Sequence, residues 1–474
     1  MTARLIVRRR IGDIETPVGA MLKLGAELPG SFLFESIAGG ERLGRYSFIG
    51  IEPGRWFRIK NGIAETSASA DFADAKPEPG TPIEALRQFV NAARAEAPDG
   101  MPPMASGAFG YIGYDMIQYV EPVVITKPDV LGVPETILIV PRVVVIFDHL
   151  YQELLIVGRQ ENDDLEQVDR LLDEVETRLE RLASIPPKDS AAEPVELTSD
   201  TSKQRYFEIV EHCRDYIKAG DIFQVVPSQR FSTPFKRKPI SFYRALRRLN
   251  PSAFMFHMNL GEVCLVGSSP EILVRVRDGR VAIRPIAGTR PRSGDVEEDA
   301  RRAEDLLGDP KERAEHLMLL DLGRNDVGRV AAYGSVTVTE SFVVERYSHV
   351  MHIVSHVEGD LREGLDAVDA LLAGFPAGTV SGAPKIRAMQ IINEMETSRR
   401  GIYGGAVGYF GWNGDLDTCI ALRTAVIKDG QLHIQAGGGV VLDSVPQYEY
   451  DETVHKSGAL RRAAELSAAY EFDQ

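Results

Sequence analysis

A single break divides this sequence into two differently patterned regions. A helical stripe of apolar residues runs from Leu165 to Leu182 and is followed by a Pro-, Ser- and Ala-rich stretch at 184–202. Before the break, alternating runs at 142–147 and 151–157 predict antiparallel strands. After it, a helix at 204–218, a strand at 222–226 and further mixed elements are predicted. We therefore expect an α+β fold with an N-terminal region 1–185, a linker or surface loop at 186–202, and a region 203–474 that shares sheets with the first.

Composition and charge exclude several classes of function. The 474 residues carry a net charge of −15, which argues against a general nucleic-acid or anionic-membrane surface but allows a small anionic substrate. The longest apolar stretch, 137–147, is interrupted by Pro141 and Arg142 and is too short to span a bilayer. The basic N-terminus lacks the apolar core of a signal peptide. Three widely spaced cysteines predict buried free thiols in a reducing cytoplasm.

Two glycine-rich segments resemble each other. Residues 107–114 read GAFGYIGY, and residues 405–412 read GAVGYFGW. Glycine at every third position lets a strand bend tightly and pack close to another backbone. The similarity of the two segments indicates either two related sheet elements or the shared chemistry of strongly bent strands.

Two carboxylate pairs could hold a metal ion. Glu312 and Glu315, like Glu449 and Glu452, are three residues apart, which places each pair on one helix face. Asp309-Pro310 before the first pair, and Ser444 and Pro446 before the second, are typical of helix starts. Two acidic faces in one cleft would need a cation between them, and Mg²⁺ suits carboxylate ligands. The alternative is two solvated faces paired with lysines such as Lys311 and Lys456.

Several other residues are candidates for chemistry. Glu271, after a predicted strand at 263–266, is either a general acid or an ordinary loop glutamate. Arg423, in an apolar segment, would bind either a substrate carboxylate or a protein acid. Residues 381–385 and 436–440 could bring backbone N–H groups close to an anion. Among His349, His352 and His356, no nearby cysteine completes a zinc site, so His352 is better interpreted as a single histidine in a cleft.

In order along the chain, these segments resemble the chorismate-utilising enzyme family, and within it the anthranilate synthases. The resemblance covers about residues 16–463. The motifs that carry it are GDIFQV (220–225), GSSPE (267–271), PIAGTR (285–290), KERAEH (311–316), DLGRND (321–326), VMH (350–352) and TVSGAPK (379–385). The family fold that this implies is two large, mostly antiparallel β-sheets packed together with helices outside.

The resemblance also implies roles for individual residues. Glu315 and Glu452 would bind Mg²⁺ directly, with Glu312 and Glu449 in support, and the ion would hold the ring carboxylate of chorismate. Glu271 would act as the general acid, and His352 would serve the later pyruvate elimination. The remaining members of the implied pocket, which contact the enolpyruvyl carboxylate or line the wall, are Gly288, Thr289, Thr379, Tyr403, Arg423, Gly437, Gly438, Gly439 and Lys456.

Two positions discriminate between members of the family. Family members that add water have a lysine base where this chain has Gln224, and an uncharged amide cannot deprotonate water. Aminodeoxychorismate synthases typically have lysine where this chain has Ala287. The resemblance therefore implies that chorismate and ammonia give anthranilate and pyruvate, the first committed step of tryptophan biosynthesis. The alternatives are aminodeoxychorismate synthase component I and an inactive tryptophan-sensing module.

The N-terminal region resembles the family's regulatory region. Residues 32–36 (FLFES) and 250–255 (NPSAFM) resemble the two segments that bind inhibitory tryptophan. Phe34, Ala253 and Phe254 depart from the family pattern, and Phe32 and Phe34 could instead be plain core residues. The implied inhibitor-binding residues are Glu35, Ser36, Arg45, Ala253, Phe254 and Met255.

The resemblance also implies a partner. No Gly-x-Cys-x-Gly nucleophile context surrounds any of the three cysteines, so this chain is not expected to hydrolyse glutamine itself. A separate glutamine amidotransferase subunit of the TrpG type would deliver ammonia. We expect a cytoplasmic hetero-oligomer, a heterotetramer as in the family.

Overall fold

We describe the protein from a computed structural model, which describes residues 3–36, 44–162, 164–182, 192–347 and 350–471. The strands are β1 (Ala3–Ile11), β2 (Phe32–Glu35), β3 (Tyr46–Lys60), β4 (Ile63–Ser67), β5 (Lys76–Pro77), β6 (Ala95–Glu96), β7 (Gly107–Ile112), β8 (Thr136–Asp148), β9 (Glu153–Gln160), β10 (Thr198–Ser199), β11 (Gln224–Val225), β12 (Ser228–Pro234), β13 (Phe254–Asn259), β14 (Cys264–Ser269), β15 (Ile272–Arg277), β16 (Arg280–Ile283), β17 (Ile286–Pro291), β18 (Thr337–Arg346), β19 (Val350–Asp360), β20 (Gly382–Ala383), β21 (Ala406–Gly411), β22 (Leu416–Ile420), β23 (Thr424–Lys428) and β24 (Gln431–Gly437). The α-helices are α1 (Pro17–Leu24), α2 (Pro82–Ala92), α3 (Leu165–Leu179), α4 (Lys203–Lys218), α5 (Pro239–Leu249), α6 (Val296–Gly308), α7 (Pro310–Val330), α8 (Ala367–Gly374), α9 (Lys385–Met395) and α10 (Pro446–Leu466).

Most strands form two large sheets that share β3 and β8. The first sheet has the order β6-β1-β9-β8-β3-β2-β13-β14-β23-β24-β12-β10. The second has the order β5-β4-β3-β8-β7-β21-β22-β15-β16-β19, and both β17 and β18 also pair with β19. Of these pairings only β1 with β6 is parallel. The predicted α+β class, with two mostly antiparallel sheets, is confirmed.

The long strands β3 and β8 serve both sheets because they bend together. Pro53 on β3 lies opposite Pro141 on β8, and the pairing register shifts between Pro53 and Arg55. Proline cannot donate a ladder hydrogen bond, and a bulge bends its strand and increases the local twist. One half of each strand therefore continues into the first sheet and the other half into the second.

Three buried clusters show how the layers pack. The inner faces of the two sheets enclose an aromatic-rich core that includes Phe32, Phe109 and Phe256. The outer face of the first sheet packs against α1, α3, α5 and α10, and that of the second against α2, α7 and α8. Because side chains alternate along a strand, Phe32 and Phe34 point to the inner core while Leu33 points to the helices. The helices lie outside the sheets, as expected.

Strands from both parts of the sequence join each other. β2 pairs with β13 in the first sheet, and β7 pairs with β21 in the second. Residues 186–191 of the predicted linker lie outside the described residues, and β10, at its C-terminal end, pairs with β12. The two parts of the chain therefore share one fold.

The two glycine-rich segments are paired strands. β7 and β21 are antiparallel neighbours, with Gly110 opposite Gly408. A Cβ atom at Gly110 would lie 2.0 Å from the carbonyl oxygen of Ile137 on β8. Glycine is required there because the neighbouring backbone is too close for any side chain.

Local predictions hold best for the helices. α3, α4 and α7 lie where the sequence patterns indicated, and Asp309 caps α7 by accepting from the Lys311 and Glu312 amides. α10 begins at Pro446, as the helix-start signals of Ser444 and Pro446 predicted, and Val445 is its N-cap residue. The strand predicted at 222–226 was wrong in length, because only the two-residue β11 forms there. Among the described residues, no helix has both the length and the apolar character needed to cross a membrane.

Candidate active site

Two segments that connect the sheets build the centre of the site. Ser269 to Ile272 joins β14 of the first sheet to β15 of the second and carries Glu271, whereas the turn between β22 and β23 carries Arg423. The two connections are tied together, because the Ser268 amide donates to the Arg423 carbonyl (3.1 Å). Arg423 thus lies in a turn rather than in the alternating segment that the sequence indicated. Its positive φ of 48° is a conformation that costs about 1–3 kcal/mol and is concentrated at functional sites.

These connections form one wall of a cavity of about 340 Å³. The other walls come from the bulged β17, from β19, from a 3-10 turn at Gly378–Val380, from the end of β24, and from one face each of α7 and α10. The residues predicted for the site that line this cavity are Glu271, Gly288, Thr289, Glu312, Glu315, His352, Thr379, Tyr403, Arg423, Gly437, Glu452 and Lys456.

Glu271 is positioned as a proton donor. The carboxyl group is buried, and burial raises its pKa to about 8 despite a hydrogen bond from the Thr379 hydroxyl (Oγ1 to Oε1, 2.8 Å). A carboxyl group with this pKa is largely protonated at neutral pH, and it can therefore give a proton to a leaving group.

His352 lines the same cavity with a defined tautomer. Its Nδ1 is 2.8 Å from the Gly288 carbonyl oxygen, which can only accept, so Nδ1 carries the proton. Burial lowers the pKa of His352, which favours the neutral ring. Nε2 is then free to accept a proton.

Four carboxylates line or adjoin one side of the cavity, and two of them are balanced by cations. Glu312 pairs with Arg290 (3.0 Å), and Glu452 pairs with Lys456 (2.6 Å). The second contact is the helix-face ion pair that the alternative interpretation anticipated. Among the described residues, Glu315 and Glu449 have no cation within ion-pair distance.

The unbalanced carboxylates fit a hard cation. Burial, followed by the charges of Glu312 and Glu452, raises the pKa of Glu315. Burial also raises the pKa of Glu449, whose buried Oε2 has no hydrogen-bond partner among the described residues. Those residues contain no preformed cluster of three or more metal-ligating side chains. Mg²⁺ is commonly bound by one or two carboxylates with water and an anionic substrate, so this donor set suits it.

Another part of the cavity lining favours an anion. Arg423 is partly buried, and burial lowers its pKa, yet none of the described carboxylates forms an ion pair with it. A desolvated guanidinium without a counter-ion is a binding site for a planar carboxylate. Tyr403 lines the same cavity, and burial raises its pKa to about 12, which keeps the hydroxyl protonated as a donor.

Backbone and amide groups close the cavity near the carboxylates. Lys456 donates to the Gly437 carbonyl oxygen (2.9 Å), which ties α10 to the end of β24. A side chain at Gly439 would meet the Gln224 amide at 2.6 Å, and one at Gly438 would meet the Glu449 carboxylate at 3.0 Å. The Gln224 amide nitrogen in turn lies 3.5 Å from Glu315. Gln224 and Gly438 therefore adjoin the carboxylates directly, and Gly439 adjoins them through Gln224.

A second cavity, of about 390 Å³, opens between the sheets. Five of the six predicted inhibitor-binding residues line it: Glu35, Ser36, Arg45, Ala253 and Phe254. Met255 instead packs in the core between the first sheet and its helices. Phe34 also lines this cavity, whereas Phe32 is fully buried in the inner core.

The charged residues of the second cavity are already held in place. Arg247 of α5 forms a bidentate ion pair with the Glu35 carboxylate, with Nε 2.7 Å from Oε2 and Nη2 2.9 Å from Oε1. The Tyr243 hydroxyl donates to the same carboxylate. Arg45 pairs with Asp148 at 2.8 Å. The cavity touches the first one through Pro270 and Ile286, which line both. A ligand in the second cavity would therefore contact the segment that carries Glu271.

Sequence reasoning missed several residues of both cavities. Gln435 lines the first cavity, and Arg290 holds Glu312 there. Arg275, Arg277 and Arg284 line the second. Arg290 follows Thr289 in the PIAGTR motif, so its place in the site could have been suspected from the sequence. The other four residues come together only when distant strands pair. His349 lies outside the described residues.

Comparison with known proteins shows the family to which the chain belongs. Residues 45–462 match the model of a family described as chorismate binding enzyme. The chain is 50% identical to anthranilate synthase component 1 of Cereibacter sphaeroides, over 98% of this chain and 94% of that protein. It is 49% identical to the component 1 of Pseudomonas putida, over 96% and 94%. The solved structure of anthranilate synthase component I from Streptococcus pneumoniae matches with a TM-score of 0.81 at 35% identity, over 95% of this chain and 98% of that one. The chain therefore belongs to the chorismate-binding enzymes, in the anthranilate synthase component 1 family.

Proposed function

We propose that this chain converts chorismate and ammonia to anthranilate and pyruvate. One observation carries the proposal. A single cavity combines Arg423, a cation with no ion-pair partner among the described residues, with Glu271, a buried acid that keeps its proton near neutral pH. The anionic substrate and the leaving hydroxyl group of this reaction require these two features together.

The substrate would be held between the two sides of the cavity. Arg423 and Tyr403 would bind the enolpyruvyl carboxylate, helped by the backbone around Gly437, while Thr289 and Lys456 complete the wall. The ring carboxylate would face the glutamates. Glu315 and Glu452 would hold Mg²⁺ directly with Glu312 and Glu449 in support, and the bound ion would polarise the conjugated ring carboxylate.

The first step would be addition of ammonia to the ring. Its nitrogen forms a bond to the ring carbon beside the carboxylate, both conjugated ring double bonds shift by one position, and the ring hydroxyl group leaves with the Glu271 proton as water. The new ammonium group then gives up one proton, which restores the acid form of Glu271. Thr379 holds Glu271 in position. Gln224, near the carboxylates, has no basicity with which to activate water, so ammonia, which is already a nucleophile, is the better reactant.

The second step would release pyruvate. The proton on the amine-bearing carbon is removed, the enolpyruvyl C–O bond breaks, and the ring becomes aromatic. The Nε2 atom of His352 is the available base, because Nδ1 is committed to the Gly288 carbonyl. Ala287, which lines the cavity and carries no amine, is consistent with a reaction that continues to anthranilate.

We also propose a partner and a regulator. A TrpG-type glutamine amidotransferase subunit would supply ammonia in a hetero-oligomer, consistent with the component 1 naming of the relatives. Tryptophan would bind in the second cavity and inhibit, which makes the N-terminal part of the chain regulatory. The three cysteines are buried and free, which suits a reducing cytoplasm.

The test is a direct assay. Purified protein with chorismate, Mg²⁺ and an ammonium salt should form fluorescent anthranilate and equimolar pyruvate. Glu271→Gln, which keeps the side-chain shape but holds no acidic proton, should form neither product although it folds normally. An aminated product without pyruvate would instead identify an aminodeoxychorismate synthase, and no reaction from folded wild-type protein would contradict the proposal.

A further inference from the structure

An ion pair lies buried behind the active site and is not part of it. Arg400 is 2% exposed and Glu396 is 4% exposed. The Arg400 Nη2 atom lies 2.6 Å from Glu396 Oε1, and Nε donates to both carboxylate oxygens at 3.1–3.2 Å. Neither residue lines the cavity described above.

The same guanidinium group holds two separate segments, one that lines the cavity and one that adjoins it. Nη1 donates to the carbonyl oxygen of Val380 and Nη2 to that of Val226, each at 2.6 Å. Val380 follows Thr379, the hydrogen-bond partner of Glu271, and Val226 lies two residues after Gln224. One cation therefore links the segments that carry two residues of the proposed reaction.

Two further contacts extend this arrangement around the cavity. The guanidinium carbon lies 5.4 Å from the centre of the Tyr403 ring, within the range of a cation–π interaction. Glu396 accepts from the amide and hydroxyl of Ser228 (2.8 and 2.7 Å), and the Ser228 hydroxyl accepts from Gln435, which lines the cavity. The pair thus contacts two residues that line the cavity, Val380 and Tyr403, and two that lie behind the wall, Val226 and Ser228.

We propose that Arg400 is a positioning residue, which fixes Thr379, Gln224 and Tyr403 relative to one another without touching substrate. The inference rests on the proposed function for its catalytic consequence. Burying an ion pair is often no more stabilising than well-packed apolar residues would be, so stability alone is a weak reason for this pair. The planar fork of arginine can reach two carbonyls and a carboxylate at once, which the single ammonium group of lysine cannot.

Arg400→Lys is the variant that tests this role, because it keeps the positive charge but loses the planar guanidinium group. Displacement of a catalytic group by about 1 Å can cost roughly 100-fold in rate, so we expect kcat/KM for chorismate and ammonia to fall by about 10- to 100-fold. KM for chorismate should rise, because Tyr403 is displaced. The matched control is Arg399→Lys, at the neighbouring arginine whose Nε donates to the Lys127 carbonyl oxygen away from the cavity. Its kinetics should be those of wild type.

The outcomes separate positioning from stability. A folded Arg400→Lys protein with kcat and KM within about threefold of wild type would overturn the proposal. So would a fall in apparent kcat that matches the unfolded fraction, with KM unchanged. If Arg400→Lys does not fold, Glu396→Gln, which keeps an acceptor for Arg400 but removes the counter-charge, is judged by the same criteria.

A second measurement does not depend on activity. Hydrogen–deuterium exchange in Arg400→Lys should quicken in peptides covering 222–228 and 377–383 but not in β7 or β8. Unchanged exchange in those peptides would overturn the inference even if wild type proved inactive on chorismate. Faster exchange with an inactive wild type would uphold the positioning role and refute only the proposed reaction.

Discussion

At the scale of single residues, the site depends on groups whose protonation is set by burial. Glu271 keeps its proton near neutral pH, and His352 stays neutral with its proton on Nδ1. An acid and a base with opposite shifts in one cavity are typical of acid–base catalysis. Their roles follow from environment rather than residue type, because each side chain would titrate differently in water.

The pH dependence of the reaction should report Glu271. Its raised pKa means that the acid form persists up to about pH 8, so kcat/KM should fall as pH rises through that value. Thr379→Val removes a hydrogen bond that favours the charged carboxylate, so the pKa of Glu271 should rise. The decrease of kcat/KM at alkaline pH, the alkaline limb of the pH profile, should then move to higher pH. Thr379→Ser keeps the hydroxyl and should leave the limb in place. A limb that does not respond to Thr379→Val would show that another group controls it.

At the scale of secondary-structure elements, α7 and α10 each bring one carboxylate pair to the cavity. In each helix, one glutamate pairs with a cation, and the other has no such partner among the described residues. Spacing alone left two possibilities for these pairs, the ion-paired face and the acidic cleft, and the structure has features of both. Burial and neighbouring charge raise the pKa of the two uncompensated members, Glu315 and Glu449, and a bound cation would favour their charged form.

Mg²⁺ should therefore stabilise the protein as well as support turnover. At a concentration 100-fold above its dissociation constant, a ligand adds about 2.7 kcal/mol to the free energy of unfolding, and the melting temperature should rise. Glu315→Gln should lose this rise and at least about 100-fold in kcat, equivalent to about 2.7 kcal/mol of transition-state stabilisation. Asp321→Asn, in an exposed pair with Arg324 on the same helix, should show neither effect. A full Mg²⁺-dependent rise in Glu315→Gln would place the ion elsewhere.

At the scale of the whole molecule, the two sheets place the second cavity next to the first. Both cavities contact Pro270 and Ile286, on segments that begin strands of the second sheet. A ligand in one cavity can change the other through such shared elements if it binds one arrangement of them more tightly. This geometry supports regulation by an amino acid that binds between the sheets.

Ser36→Ala should weaken inhibition by tryptophan. Ser36 lines the second cavity, and loss of one hydrogen bond of about 0.5–1.5 kcal/mol should raise the half-inhibitory concentration about 2- to 10-fold. Ser232→Ala, on β12 of the same sheet, is the matched control and should be inhibited like wild type. Equal inhibition of Ser36→Ala and wild type would count against this cavity as the tryptophan site.

The sequence alone predicted several of the helices and strands and most of the residues that line the first cavity. Helix caps and periodicity act locally, so α3, α4 and α7 could be predicted, and linear motifs identified the residues that later lined the cavity. Only the tertiary structure decided which of these residues have a partner of opposite charge and which segments are joined. That Arg290 neutralises Glu312, that Arg423 has no acid partner among the described residues, and that Arg400 joins Val226 to Val380 depend on the pairing of distant segments. Burial and charge compensation are properties of that packing, and no local pattern encodes them.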